Sequence, residues 1–200
     1  MKNYLLTLLL FLGITTIMQA QSNDSALPYE QIPTAPDTYN ACTMAARMID
    51  GLGFRYYWAT EGLRANDLGF RPNETARTMA ETLDHIHGLC RVVSNAVEQL
   101  PNERTATSTP LSFEEQRAET LHMLKEASDL LRASDPKDIE TFNIVFKRGD
   151  DESAFPFWNL INGPLADAIW HVGQVVSFRR SAGNPMDARV SVFHGVLKKG

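Results

Sequence analysis

Three polar residues share one stripe of an otherwise apolar segment near the C-terminal end of the chain. Asp167, His171 and Gln174 are spaced four and three residues apart, which places them on one face of a helix. A carboxylate buried in such a segment costs several kcal/mol unless a partner compensates it. A divalent cation held by Asp167 and His171 would do so. The alternative is a plain Asp167–His171 ion pair, with Gln174 bonded to a neighbour.

A third ligand is predicted from an earlier segment that contains two histidines. On a helical wheel, His85 lies among apolar or small residues, whereas His87 lies among charged and polar ones. We therefore expect His85 to point toward another helix and His87 toward solvent. The predicted metal ligands are His85, Asp167 and His171, with Gln174 orienting a ligand from behind. The alternative for His85 is a core histidine satisfied by hydrogen bonds.

The other reactive side chains give weaker indications. His122 has no acidic or histidine partner at ligand spacing, and nothing connects His194 in the tail to the stripe. In two antiparallel helices, Cys42 and Cys90 would differ in height by roughly 15 Å, whereas a disulfide needs Cα atoms within about 7 Å. Buried free thiols are therefore expected, although a bend at the nearby glycines would permit a disulfide. The sequence lacks a Gly-rich phosphate loop, a Gly-x-Ser-x-Gly elbow and a CxxC pair.

Four long helices are predicted to position these residues. Apolar periodicity, the capping box Ser112-Phe-Glu-Glu115 and proline or glycine punctuation place them at about 37–65, 75–100, 112–134 and 164–183. Residues 137–158 form a long connection, with an extended piece at 144–146 and an exposed turn at 149–151. Valines at 190, 192 and 196 predict a tail that packs back. Short links and one long connection favour an all-α four-helix bundle with one crossover.

The N-terminal end and the overall charge bound the cellular setting. Residues 1–20 have a lysine followed by an apolar run and a small residue, a pattern typical of a secretory signal peptide cut near Ala20 or Gln21. An uncleaved anchor is the alternative. Residues 21–35 are predicted to be a flexible lead-in and 36–200 the helical domain, in a periplasmic or secreted protein with no membrane span after cleavage. The net charge of −5 argues against a nucleic-acid partner.

Two short motifs carry a family resemblance. Leu83-Asp-His85-Ile resembles the helix-two motif of the DinB/YfiT-like bundle proteins, and Asp167-Ala-Ile-Trp-His171-Val-Gly-Gln174 resembles their helix-four motif. The similarity covers about residues 37–197. It implies a four-helix bundle, often a homodimer, with a divalent metal between helices two and four. His85 would be the first ligand and His171 the last, while Asp167 departs from the histidine usual at the middle position.

The resemblance also implies hydrolase or thiol-dependent transferase activity in some members, and many have no assigned reaction. The leading hypothesis is therefore an exported metal-dependent enzyme that uses Zn, Ni, Fe or Mn on an unidentified small-molecule substrate. A non-catalytic metal- or small-molecule-binding protein and a metal-free helical interaction protein are the alternatives. No separate general base stands out; His87 and Glu81 are candidates only by proximity in the sequence.

Overall fold

The computed structural model describes residues 26–103 and 110–199. The predicted signal peptide, residues 1–20, lies outside the described residues. The described residues contain six α-helices: α1 Ala41–Thr60, α2 Ala65–Leu68, α3 Met79–Val97, α4 Phe113–Ala133, α5 Phe157–Leu160 and α6 Ala166–Ser181. The four long ones, α1, α3, α4 and α6, confirm the prediction of four main helices. Each is shorter than predicted, because residues at the predicted ends form caps and turns instead of continuing the helix.

Three of the long helices begin at a reciprocal cap. The side chains of Asn40, Thr78 and Ser112 each accept a hydrogen bond from the backbone N–H three residues on. In each case the side chain at that third residue accepts from the capping residue's own backbone N–H. Two backbone donors that the first turn leaves unpaired are thereby satisfied. The cap predicted at Ser112 is confirmed.

The long helices pack in a ring in which each has two main neighbours. α1 and α3 each pack against both α4 and α6. Their apolar faces meet in one core, whose members include Ile49, Leu52, Leu83, Ile86, Leu121, Leu124, Leu165 and Val172. Cys42 and Cys90 are buried and free, as expected. The thiol of Cys42 donates to the carbonyl of Asp135, 3.3 Å away.

Small strands correct the all-α expectation to a predominantly helical fold. After α4, a 3₁₀ turn at Pro136–Glu140 leads into a hairpin of β2 (Ile144–Arg148) and β3 (Asp151–Phe155). The strand β1 (Asn102–Glu103) pairs parallel to β2. Gly149 turns the hairpin with φ of 62°, a conformation that glycine adopts without strain. The predicted extended piece and exposed turn are therefore both present within the long connection.

Both segments that flank the bundle pack onto it. Tyr29, in the described part of the predicted lead-in, is buried and donates to the buried carboxylate of Asp50 over 3.2 Å. The backbone N–H of Ile32 donates to the carbonyl of Gly195, 2.9 Å away. Gly195 lies just before β5 (Val196–Leu197), which pairs with β4 (Val190–Ser191). Residues 26–35 are thus held between α1 and the C-terminal tail.

A buried arginine joins the C-terminal ends of α1 and α6. Arg179 is 3% exposed, and its Nη1 donates to the carbonyls of Trp58, Ala59 and Glu61 at 3.0–3.1 Å. Its Nε donates to the carbonyl of Asn184 over 2.7 Å. Arg179 lies in the last turn of α6, at the negative end of its own helix. The structure shows that its guanidinium instead satisfies the last turn of α1.

A carboxylate extends this junction. Arg64 donates to both oxygens of Asp67, at 2.7 and 3.0 Å, and Asn184 Nδ2 donates to the same carboxylate over 2.7 Å. These hydrogen bonds hold the pKa of Asp67 well below its usual range.

Within the described ranges, no helix combines the length and the apolarity required to cross a membrane.

Candidate metal site

The path into α6 sets which of its faces meets α3. A π-helical turn, Ile161–Leu165, precedes α6 and contains Pro164. Gly163 breaks the helical backbone there, with φ of −99° and ψ of −108°. Such turns are uncommon and are frequent near functional sites. The turn and α6 both pack against α3, and Asp167 of α6 lies beside His85 of α3.

The three predicted ligands meet at this interface between α3 and α6. His85 Nε2 lies 3.3 Å from Asp167 Oδ2, and His171 Nε2 lies 3.4 Å from Asp167 Oδ1. The two imidazole rings are nearly perpendicular, with centroids 4.6 Å apart. One ligand atom from each residue lies within 4.8 Å of the other two. The structure thus contains a His/Asp/His cluster that could hold a metal ion.

Gln174 fixes which nitrogen of His171 faces the cluster. The Nδ1 of His171 lies 2.8 Å from Gln174 Oε1. An amide oxygen only accepts, so Nδ1 carries the hydrogen and donates it. In the neutral ring, the lone pair is then on Nε2, which faces Asp167. This is the arrangement in which a histidine that binds metal through Nε2 is oriented from behind.

The premise that the fourth helix buries its carboxylate is wrong. The side chain of Asp167 is 42% exposed, that of His85 33% and that of His171 15%. Trp170 on the same helix is 72% exposed. The apolar composition of α6 misled the prediction, because α6 packs mainly against α1 and α3 and its outer side faces solvent. The residues still converge, but burial alone does not demand a cation.

The expectation that His87 faces water is also wrong. His87 is 6% exposed; its Nδ1 donates to Thr120 Oγ1 over 2.9 Å, and Arg91 Nη2 donates to its Nε2 over 2.7 Å. Burial and the neighbouring Arg91 lower the pKa of His87. The polar flank of the wheel faces α4, which supplies a hydrogen-bond partner. Polarity on that flank therefore marked a buried polar contact rather than solvent.

Neither suggested general base is available to the cluster. His87 is committed to the interface between α3 and α4. The carboxylate of Glu81 accepts from both the backbone N–H and the hydroxyl of Thr78, at 2.7 and 3.0 Å, and these hydrogen bonds lower its pKa. It therefore caps α3. His122 and His194 are exposed and lie outside the cluster, in line with their treatment as non-ligands.

Sequence reasoning passed over two buried charges. Asp50 accepts hydrogen bonds from Tyr29, Ser128 and Arg132, and Arg179 binds the end of α1. Asp50 follows the apolar pair Met48-Ile49 in α1, a signal that could have identified it, whereas Arg179 is followed by the exposed Arg180 and gives no such signal. Both are fully partnered by protein groups, and they hold the bundle together rather than forming a reactive centre.

Comparison with known proteins gives no match among family models, curated proteins or solved structures. The resemblance to the DinB/YfiT-like proteins therefore rests on its short motifs and on the cluster that those motifs form.

Proposed function

We propose that this chain binds a divalent metal ion through His85, Asp167 and His171 and is a metal-dependent enzyme of the hydrolase or thiol-transferase type. The ion would be Zn, Ni, Fe or Mn, because imidazole ligands suit Zn, Ni and Fe, and a carboxylate ligand suits Mn. The resemblance to DinB/YfiT-like proteins suggests the two reaction types. The substrate would be a small molecule of unidentified class.

The orientation of His171 carries the proposal. With its Nδ1 hydrogen donated to Gln174, a neutral His171 directs a lone pair at a carboxylate oxygen 3.4 Å away. Two acceptors that face each other repel unless a proton or a cation lies between them. Two donor atoms about 2.1 Å from one tetrahedral ion lie about 3.4 Å apart. His85 Nε2 lies at this spacing from Oδ2 of Asp167, and His171 Nε2 lies at this spacing from Oδ1.

Partial exposure favours a catalytic over a closed structural role. Three protein ligands leave positions for water or substrate, and the exposed sides of His85 and Asp167 leave solvent a route to them. A bound ion would supply Lewis acidity that lowers the pKa of water or of a thiol. The chain's own contribution is orientation, since Gln174 holds the ring of His171 and the packing of α3 on α6 fixes the third ligand.

The same exposure supports one competing function, a metal-free helical interaction protein. The side chain of Asp167 is 42% exposed, so water can solvate its carboxylate without a cation. Protonation of His171 would turn the facing acceptors into an ordinary i, i+4 ion pair. The two functions differ in whether the purified chain holds an ion.

Metal quantification on protein purified without a chelating tag separates them. We expect about one divalent ion per chain in the parent and a sharp loss in His85→Ala. His122→Ala is the matched control, since it removes an exposed histidine outside the cluster and should retain the ion. If no ion is recovered after Zn, Ni, Mn and Fe(II) are each added, the metal proposal fails.

A cobalt-substituted sample tests whether the site is open. Azide or a small thiol should change the visible absorption of the cobalt if a coordination position is accessible. An unchanged spectrum at saturating azide and thiol would indicate a non-catalytic, closed metal site.

Export and dimerisation form the remaining part of the proposal. The apolar N-terminal run supports export to the periplasm or outside the cell, and the resemblance supports a homodimer. Sequencing the N-terminus of secreted protein should begin near Gln21. Sedimentation should give about twice the chain mass.

A further inference from the structure

A second concave site lies on the other flank of α6, where that helix meets α1 and the C-terminal tail. Its volume is about 290 Å³, close to the lower end of small-molecule pockets, which span about 300–1,000 Å³. Apolar side chains from three parts of the fold form most of its wall: Trp58, Ile169, Val172, Val176, Met186 and Val190. On α6 these residues lie on the flank away from Asp167 and His171, so the site is separate from the metal cluster.

Two cations and no anion border this cavity. Arg55 of α1 and Arg180 of α6 line it, and no described acidic residue does. Arg117 and Arg132 pair with carboxylates, whereas among the described residues neither lining arginine has such a partner. The side chain of Arg55 donates to the carbonyl of Gly51, 2.8 Å away, which leaves other guanidinium donors to bind a ligand.

An exposed glycine forms part of the wall of the cavity. Gly173 lies in the middle of α6, where glycine is a poor helix former, and its φ does not require glycine. A Cβ added at Gly173 would meet no heavy atom within 4 Å, and Gly173 lines the cavity. A side chain larger than hydrogen would therefore extend into open space at the cavity wall.

We propose that this cavity binds a small organic carboxylate with an apolar body, of the size of a medium-chain or aromatic monocarboxylic acid. The apolar walls would bury the body of the ligand. Arg55 and Arg180 would face the carboxylate, which a guanidinium recognises through two parallel hydrogen bonds. This ligand requires no metal, so its binding does not depend on the function proposed above.

Calorimetric titration of the full, metal-stripped chain with octanoate tests the proposal. We expect saturable binding with one site per chain, at least tenfold weaker binding of the uncharged octanamide, and no comparable binding of inorganic phosphate. Equal affinity for octanoate and octanamide would overturn the role of the arginines. Absence of octanoate binding at millimolar concentration would overturn the site.

Variants locate the ligand. Arg180→Met should weaken octanoate binding at least tenfold, and Gly173→Leu should abolish it by filling the cavity. Gly88→Leu is the matched control: Gly88 is also an exposed helical glycine at which an added Cβ would meet no heavy atom within 4 Å, and it does not line the cavity. If Gly173→Leu fails to fold, Gly173→Ala should still fold and bind more weakly. Octanoate binding that persists in Arg180→Met and in the folded Gly173 variant would place the ligand elsewhere and overturn the proposal.

Discussion

The polar groups at the two ends of α6 differ in how fully their hydrogen-bond donors and acceptors are paired. At its C-terminal end, Arg179 is buried and donates to carbonyl oxygens on α1 and beyond α6. At its N-terminal end, Asp167 and His171 are partly exposed, and a carboxylate oxygen lies 3.4 Å from Nε2 of His171, which is an acceptor when the ring is neutral. A network whose donors and acceptors balance stabilises a fold. A network with more acceptors than donors remains available for a cation. The balance of donors and acceptors therefore distinguishes a structural network from a binding site more clearly than burial does.

The largest loss of stability is expected from replacing Arg179 at the C-terminal end of α6. Arg179→Met should lower the free energy of unfolding by about 3–5 kcal/mol, because it leaves buried carbonyls of α1 without donors. Urea denaturation measures the change. Arg180→Met, one residue on and exposed, should stay within about 0.5 kcal/mol of the parent. Similar losses in both variants would show that the burial of Arg179 is not what stabilises this end.

A metal ion bound at the N-terminal end of α6, by Asp167 and His171, should stabilise the fold. At a free zinc concentration about one hundred times its dissociation constant, the parent should gain about 2.7 kcal/mol over chelated protein. Thermal unfolding with and without chelator measures the gain. His171→Ala should remove it, and His122→Ala, an exposed change outside the cluster, should retain it. A gain that survives in His171→Ala would mean that zinc binds elsewhere.

Replacing Gln174 should weaken the affinity for metal without changing how much metal is bound at saturation. Gln174→Leu removes the acceptor for the Nδ1 hydrogen of His171, so metal affinity should fall about 10- to 100-fold. Competition with a chromophoric chelator gives the dissociation constant. Ser177→Ala, an exposed change about one turn further along α6, serves as the control. Unchanged affinity in Gln174→Leu would exclude it as an orienting residue.

Acid titration tests the carboxylate of Asp67, which accepts a hydrogen bond from Asn184 just beyond the C-terminal end of α6. Because the folded pKa of Asp67 is lowered by Arg64 and Asn184, the unfolded chain binds its proton first as pH falls. The stability from this carboxylate is present above the unfolded pKa of about 3.9 and is lost below it, as the pH approaches the folded value. Asp67→Asn should therefore lose stability less steeply below about pH 4. Parallel acid profiles in both proteins would contradict this linkage.

Local signals in the sequence predicted much of the fold and the convergence of the cluster. The cap at Ser112 and the turn at Gly149 depend on nearby residues, and both are present. His85 could be oriented because its flank of the wheel is apolar. His87 was misplaced because its partner, Thr120, lies on a helix 33 residues away, and a wheel does not show which neighbours supply polar atoms. The exposure of Asp167 was missed for the same reason, since it depends on which sides of α6 other helices cover.

The π-helical turn at Ile161–Leu165 makes the chain sensitive to length changes at one point. Each residue added to or removed from a helix rotates everything beyond it by about 100°. Loss of one residue between Gly163 and Ala166 would turn Asp167 and His171 away from His85, and it would move Arg179 away from the end of α1 by the same angle. Insertions should be tolerated at the exposed turn of the β2–β3 hairpin, residues 148–150, whereas the π-helical turn must keep its number of residues.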